Sequence, residues 1–132
     1  MIVKATQEDI PFLLEVAKRV YKDHAFDVDA SRAWLEAMVD QPWALVMRGR
    51  YGGCVTTITT PFYSCEKSGY LAFICTLPNR ENEGQRMIRL AADWCKRDKA
   101  KLYFGQKTGR NFKALAARLG AKECPPTFVL EA

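Results

Sequence analysis

Histidine occurs once in the 132 residues, at His24, and no two cysteines form a CxxC pair. The five cysteines (Cys54, Cys65, Cys75, Cys95, Cys124) are odd in number and widely spaced, so a zinc centre is not expected. Cys54 and Cys75 fall in apolar strand-like runs and Cys95 in a helical pattern, where a free thiol serves as a small core hydrophobe. No apolar run approaches the roughly 20 residues that span a bilayer, and the opening MIVKATQEDI lacks the basic-then-apolar layout of a secretory signal. A soluble, cytoplasmic protein with no membrane partner is expected. Repeats, low-complexity tracts and Pro/Gly/Ser-rich linkers are missing too, so residues 1–132 are expected to form one domain around one core.

Positive charge is in excess: the net charge is +5 and the pI about 9.0. It is spread thinly, and its densest run, KRDKAK at 96–101, closes a helical pattern, where cations complement the negative end of the helix dipole. This charge suits a phosphorylated cofactor. A nucleic-acid surface would need a basic face rich in aromatics, whereas the aromatics here are scattered through strand and helix cores, so nucleic acid is not an expected partner.

Periodicity orders the chain as β-α-α-β-β-β-α-β-α-β, a single α/β domain with a mixed sheet. MIVKAT reads as a strand, Thr6 with Asp9 as a helix cap, and Ile10, Leu13, Leu14, Ala17 and Val20 as one apolar helix face ending near Asp23. After the broken stretch KDHAFDVDA (22–30) comes a second helix with Trp34, Leu35, Met38 and Val39 on one face. WALVMR (43–48) and GCVTTITT (53–60) read as a hairpin about a glycine turn, and GYLAFICT (69–76) as a central strand. Pro78 ends that strand, and a polar loop is expected from Asn79 to Glu83. Met87, Ile88, Ala91 and Cys95 then repeat at helical spacing after Gly84. KLYFGQ (101–106) is a further strand, NFKALAARL (111–119) a helix closed by Gly120, and TFVLEA (127–132) a last strand.

This order, with FICTLPNRENEGQRMIRLAADW and NFKALAARLGAKE as its most specific parts, resembles the GNAT family of acyl-CoA N-acyltransferases over nearly the whole chain. In that family the loop after the fourth strand reads (Gln/Arg)-x-x-Gly-x-(Gly/Ala), because bare amides at the helix start approach the pyrophosphate of coenzyme A. Counted from Pro78, Gly84 is the first small position, with Glu81 at the Gln/Arg position and Arg86 at the second small one. Counted from the helix start, Gly84 is the second, with Asn79 and Asn82 at the other two. Either count leaves one glycine of two. The resemblance implies acetyl-CoA as cofactor. It places the pantetheine arm and thioester against the main chain of Cys75, Thr76 and Leu77, and the phosphates against Asn79, Arg80, Asn82, Gly84, Gln85 and Arg86, with Asn111 from the late helix.

The tyrosine that many family members use to protonate the departing thiolate falls at Ala116 here, which leaves Tyr103, or Tyr63, as the substitute acid. Candidate bases are His24, Asp27, Asp29 and Glu66; the first three lie in the loop that borders the acceptor site in the family, where Asp29 is also placed to cap the second helix. The catalytic set read from the sequence is Tyr103, Asp29 and His24. The expected activity is transfer of an acetyl group from acetyl-CoA to an amine by direct attack on the thioester, with a homodimer an allowed assembly. The alternative is a catalytically silent GNAT-like binding or virion-associated module, since divergent members of this size also occur in tailed bacteriophages.

Overall fold

The computed structural model describes residues 1–60, 62–63, 65–105, 113–123 and 130. Its elements are β1 (Val3–Lys4), α1 (Ile10–Val20), α2 (Val28–Val39), β2 (Ala44–Arg48), β3 (Gly52–Thr59), β4 (Ser68–Thr76), α3 (Glu81–Arg97), β5 (Lys101–Tyr103) and α4 (Lys113–Leu119). The expected last strand over 127–132 lies outside the described residues, apart from Leu130.

Five strands form one sheet in the order β1-β2-β3-β4-β5. The first four are antiparallel neighbours, and β5 runs parallel to β4, as the α3 crossover requires. Helices cover both faces because the strands alternate. Val46 and Val55 point to one side and pack with Leu13 and Leu14 of α1 and Leu35 and Val39 of α2. Met47, Cys54, Leu71 and Ile74 point to the other and pack with Met87, Ile88 and Ala91 of α3. Burial of this kind contributes about 25 cal/mol per Å² of apolar surface, so the two layers supply most of the driving force for folding.

Local chemistry fixes the helix ends. The Thr6 amide donates to Asp9 Oδ2 at 2.8 Å, the cap read from the sequence, and Pro11 sits in the first turn of α1, where its missing N–H costs nothing. Gly120 has φ of 71° just past α4, a backbone region that favours glycine. Asp9 also accepts from Arg48 Nη1 at 3.2 Å, and that guanidinium lies 3.8 Å from the centre of the Phe12 ring. The backbone bond from Thr6, with the Arg48 contact added to it, holds the Asp9 carboxyl below its ordinary value of 3.8. A lowered folded value stabilises the fold above the unfolded value, and that contribution is lost as pH falls through the folded one. Asp9→Asn should therefore flatten acid unfolding below about pH 4, measured as denaturant midpoint against pH.

Candidate functional site

Two features meet around the end of β4. The first is the passage from β4 into α3. The Leu77 amide donates to Tyr51 O at 2.9 Å and the Arg80 amide to Leu77 O at 3.2 Å. Asn79 takes the left-handed conformation at φ 65°, which asparagine tolerates better than most residues. The helix then begins at Glu81, not after Gly84. The polar loop expected over Asn79–Glu83 is thus corrected: Asn82 and Glu83 are helical and Gly84 lies inside α3. Glu81 and Glu83 suit a first turn, where carboxylates face the positive end of the dipole.

Glu83 does more than favour the dipole. It is 3% exposed, and its carboxylate accepts from the Arg50 amide at 3.0 Å and the Tyr51 amide at 2.8 Å. The β2–β3 turn is thereby pinned to the start of α3. Gly49 makes room for this contact, since a Cβ there would strike the Glu83 carboxylate. The Arg80 guanidinium lies 4.0 Å from the centre of the Tyr51 ring and that of Arg50 5.6 Å, so two cations flank this aromatic beside the helix start. Gln85 is half-buried and Arg86 exposed; Asn111 lies outside the described residues. At Gly84 a Cβ would sit 3.5 Å from Thr76 Cγ2 and 3.7 Å from Ile74 Cδ1, ordinary contact distances, so packing alone does not demand glycine there.

The second feature is a cavity of about 500 Å³ between the C-terminal half of α1, the 21–27 loop, the start of α2 and β4. Its wall includes Tyr21, His24, Phe26, Asp27, Trp34 and Phe73. Ala72 lines it as well, and a break in strand register explains why: Val55 opposes Phe73 while Thr56 opposes Leu71, which leaves Ala72 as the extra residue of a bulge. Tyr21 Oη donates to Ile74 O at 3.4 Å, tying the end of α1 to β4.

The sequence-derived catalytic residues are not brought together. His24 is exposed on the cavity wall, with its ring edge-on to Tyr21 at 5.6 Å between centroids. Asp29 is absent from the wall; it forms an exposed ion pair with Arg32 at 3.4 Å. The cap of α2 is Asp27, whose Oδ1 accepts from the Ala30 amide at 3.0 Å, not Asp29. Tyr103 stacks on Tyr70 with centroids 5.8 Å apart, on the sheet face that also carries Phe73 and Cys75, outside the cavity wall. Tyr63 is exposed and Ala116 half-buried in α4. Among the thiols, burial pushes Cys54 up to about 12 and Cys95 up to about 11, which suits core packing and not nucleophilic attack. No cluster fit to hold a metal ion occurs among the described residues.

Sequence reasoning missed Tyr21, Phe26, Phe73 and Glu83. Each acts through a partner far along the chain, so periodicity carried no sign of it. Trp34, placed by sequence on one helix face with Leu35, Met38 and Val39, is 37% exposed at the cavity.

No protein-family model and no curated protein matches this chain by sequence. Solved structures do match by shape. The chain is similar to the aminoglycoside antibiotic 6′-N-acetyltransferase of Acinetobacter haemolyticus, with a TM-score of 0.80 at 15% identity over 100% of this chain and 97% of that one. The corresponding enzyme of Acinetobacter baumannii gives 0.79 at 13% identity, over 100% and 97%. An aminoglycoside acetyltransferase from an uncultured soil metagenomic sample, in complex with sisomicin, gives 0.74 at 16% identity, over 100% and 95%. The mixed five-stranded sheet with helices on both faces, matched end to end by such structures, gives this chain the GNAT acetyltransferase fold.

Proposed function

We propose that this protein is an acetyl-CoA-dependent N-acetyltransferase that acts on an amine. One observation carries the reading: β4 outlasts its parallel neighbour. Among the described residues its pairing with β5 stops at Tyr70 opposite Tyr103, whereas β4 continues to Thr76 and leads through the turn at Leu77–Arg80 into a 17-residue helix. Beside that continuation lies the cavity at Ala72 and Phe73. A cofactor arm and an acceptor approaching from different directions need such an arrangement.

The donor set at the start of α3 fits a diphosphate. The first turn of a helix presents amides without intrahelical acceptors. The guanidinium groups of Arg80 and Arg50 stand beside it, and the nearest buried carboxylate, Glu83, is already satisfied by two amides. Arg80, Gln85 and Arg86 would hold the phosphates, and the main chain of Cys75, Thr76 and Leu77 the pantetheine arm. When bound, acetyl-CoA supplies the electrophilic thioester carbonyl.

The chain's own contribution is chiefly positioning, which supplies about 7 kcal/mol or more when reacting groups are well aligned. His24 on the cavity wall takes the proton of the incoming ammonium at a ring nitrogen. Tyr103 holds a proton at its hydroxyl on the same sheet face as Phe73. The test is amine-dependent release of coenzyme A, with the acetylated amine identified by mass spectrometry. His24→Gln should lower kcat by about 10²-fold or more, the range for loss of a general base. Absence of turnover across an amine panel, with folded protein that binds acetyl-CoA, would overturn the enzyme reading. Ala116 at the position of the family's usual acid favours a second reading, a GNAT-shaped module that binds without turnover.

A further inference from the structure

The cavity beside β4 has a composition that selects among amines. On the basis of the transferase reading above, we infer that it takes a compact primary amine carrying one ammonium and one flat apolar body. Asp27 binds the cation, and Phe26, Trp34 and Phe73 hold the body.

The aromatic wall is one half of the argument. Tyr21, Phe26, Trp34 and Phe73 line the space together with Leu14, Ala17 and Leu35. Trp34 stays 37% exposed at the end of a helix face on which Leu35 and Val39 are buried and Met38 half-buried. An indole left partly bare beside a cavity gains by covering, and ring faces also attract an ammonium. The volume of about 500 Å³ lies within the range of roughly 300–1,000 Å³ for small-molecule sites.

The charge is the other half. Asp27 is the carboxylate on the described wall, and its Oδ1 already accepts the Ala30 amide, which fixes the group at the start of α2. A carboxylate held in place by a backbone bond is pre-oriented to accept a charge-assisted bond from an ammonium. Asp29 is paired with Arg32, which leaves Asp23 and Asp27 against Lys22 in the stretch from Tyr21 to Ser31 of a chain whose net charge is +5. The loop is therefore locally acidic on a basic protein and attracts a cation.

One carboxylate facing aromatic walls suits one ammonium. A polycation would press further ammonium groups against the apolar surface without partners, at the cost of their hydration. The acceptor class inferred here thus differs from sisomicin, which is bound in one of the similar structures.

The test is calorimetric and fluorescence titration of the full chain, without cofactor, using 2-phenylethylamine, 2-phenylethanol and kanamycin. Asp27→Asn keeps a side-chain oxygen able to cap α2 and removes only the charge, so a folding defect is not confounded with loss of the site. Saturable binding of 2-phenylethylamine is expected, weakened at least about tenfold for the uncharged alcohol and for Asp27→Asn. Trp34→Phe should abolish the fluorescence response while retaining affinity. Tighter binding of kanamycin, or equal binding of the amine by wild type and Asp27→Asn, would overturn the inference. Binding of 2-phenylethylamine with no acetylation of it or of any amine in the panel in the presence of acetyl-CoA would sink the transferase reading and leave this one standing. Acetylation of other amines with no binding of 2-phenylethylamine would do the reverse.

Discussion

Glu83→Ala should destabilise the protein by about 2–4 kcal/mol in chemical denaturation, the largest loss expected for any polar residue described. The carboxylate is 3% exposed and accepts two backbone amides, from Arg50 and Tyr51. Truncation strands both donors and opens a void between the β2–β3 turn and α3. Glu83→Gln separates the two contributions: its amide oxygen retains one acceptor while its NH2 faces the second backbone donor, so an intermediate loss is expected. The same substitution reaches function, because this contact sets where α3 begins relative to β4. A shift of about 1 Å in a positioning element costs on the order of 10²-fold in rate, and Glu83→Ala should lose about that in kcat/KM at temperatures where it remains folded. Full activity in a Glu83→Ala protein of wild-type stability would refute this role.

Gly52→Val is the second large effect. A Cβ at Gly52 would collide with the carbonyl oxygen of Cys75 and lie 2.8 Å from the Cα of Thr76. Both are backbone atoms of the paired strand, so no rotamer change relieves the clash. Overpacking of this kind costs on the order of 3 kcal/mol, and here it forces β3 away from β4 where the strand delivers Cys75–Leu77 to the proposed cleft. Gly84→Ala should behave in the opposite way. Its Cβ meets only side-chain methyls at 3.5 and 3.7 Å, and alanine gains about 1 kcal/mol over glycine within a helix. Thermal unfolding of the two variants measures the contrast; a Gly84→Ala protein less stable than wild type would show that the α3–β4 packing is misread.

These glycines illustrate what a sequence conveys. The succession of strands and helices followed from local periods: Leu13 and Leu14 of α1 and Met87, Ile88 and Ala91 of α3 are buried where helical spacing put them. The turn between β2 and β3 and the left-handed Gly120 were equally local. The start of α3 was not. ENE at 81–83 reads as a polar loop until Glu83 is seen buried against amides more than 30 residues away. In sequence Asp29 is preferred over Asp27 both as base and as helix cap, and only the geometry gives Asp27 the cap and the cavity wall and Asp29 to Arg32. The bulge at Ala72 depends on the pairing of two strands, which no single-strand pattern encodes.

Binding of acetyl-CoA where β4 leads into α3 is tested by titrating the folded protein with acetyl-CoA and following the backbone amides by NMR. Saturable binding with one site per chain is expected, with shifts concentrated at Cys75–Leu77 and Asn79–Arg86. Arg80→Ala should weaken it while leaving the amides of β1 and β2 unmoved. No saturable binding by folded protein, or shifts confined to other parts of the sheet, would contradict it.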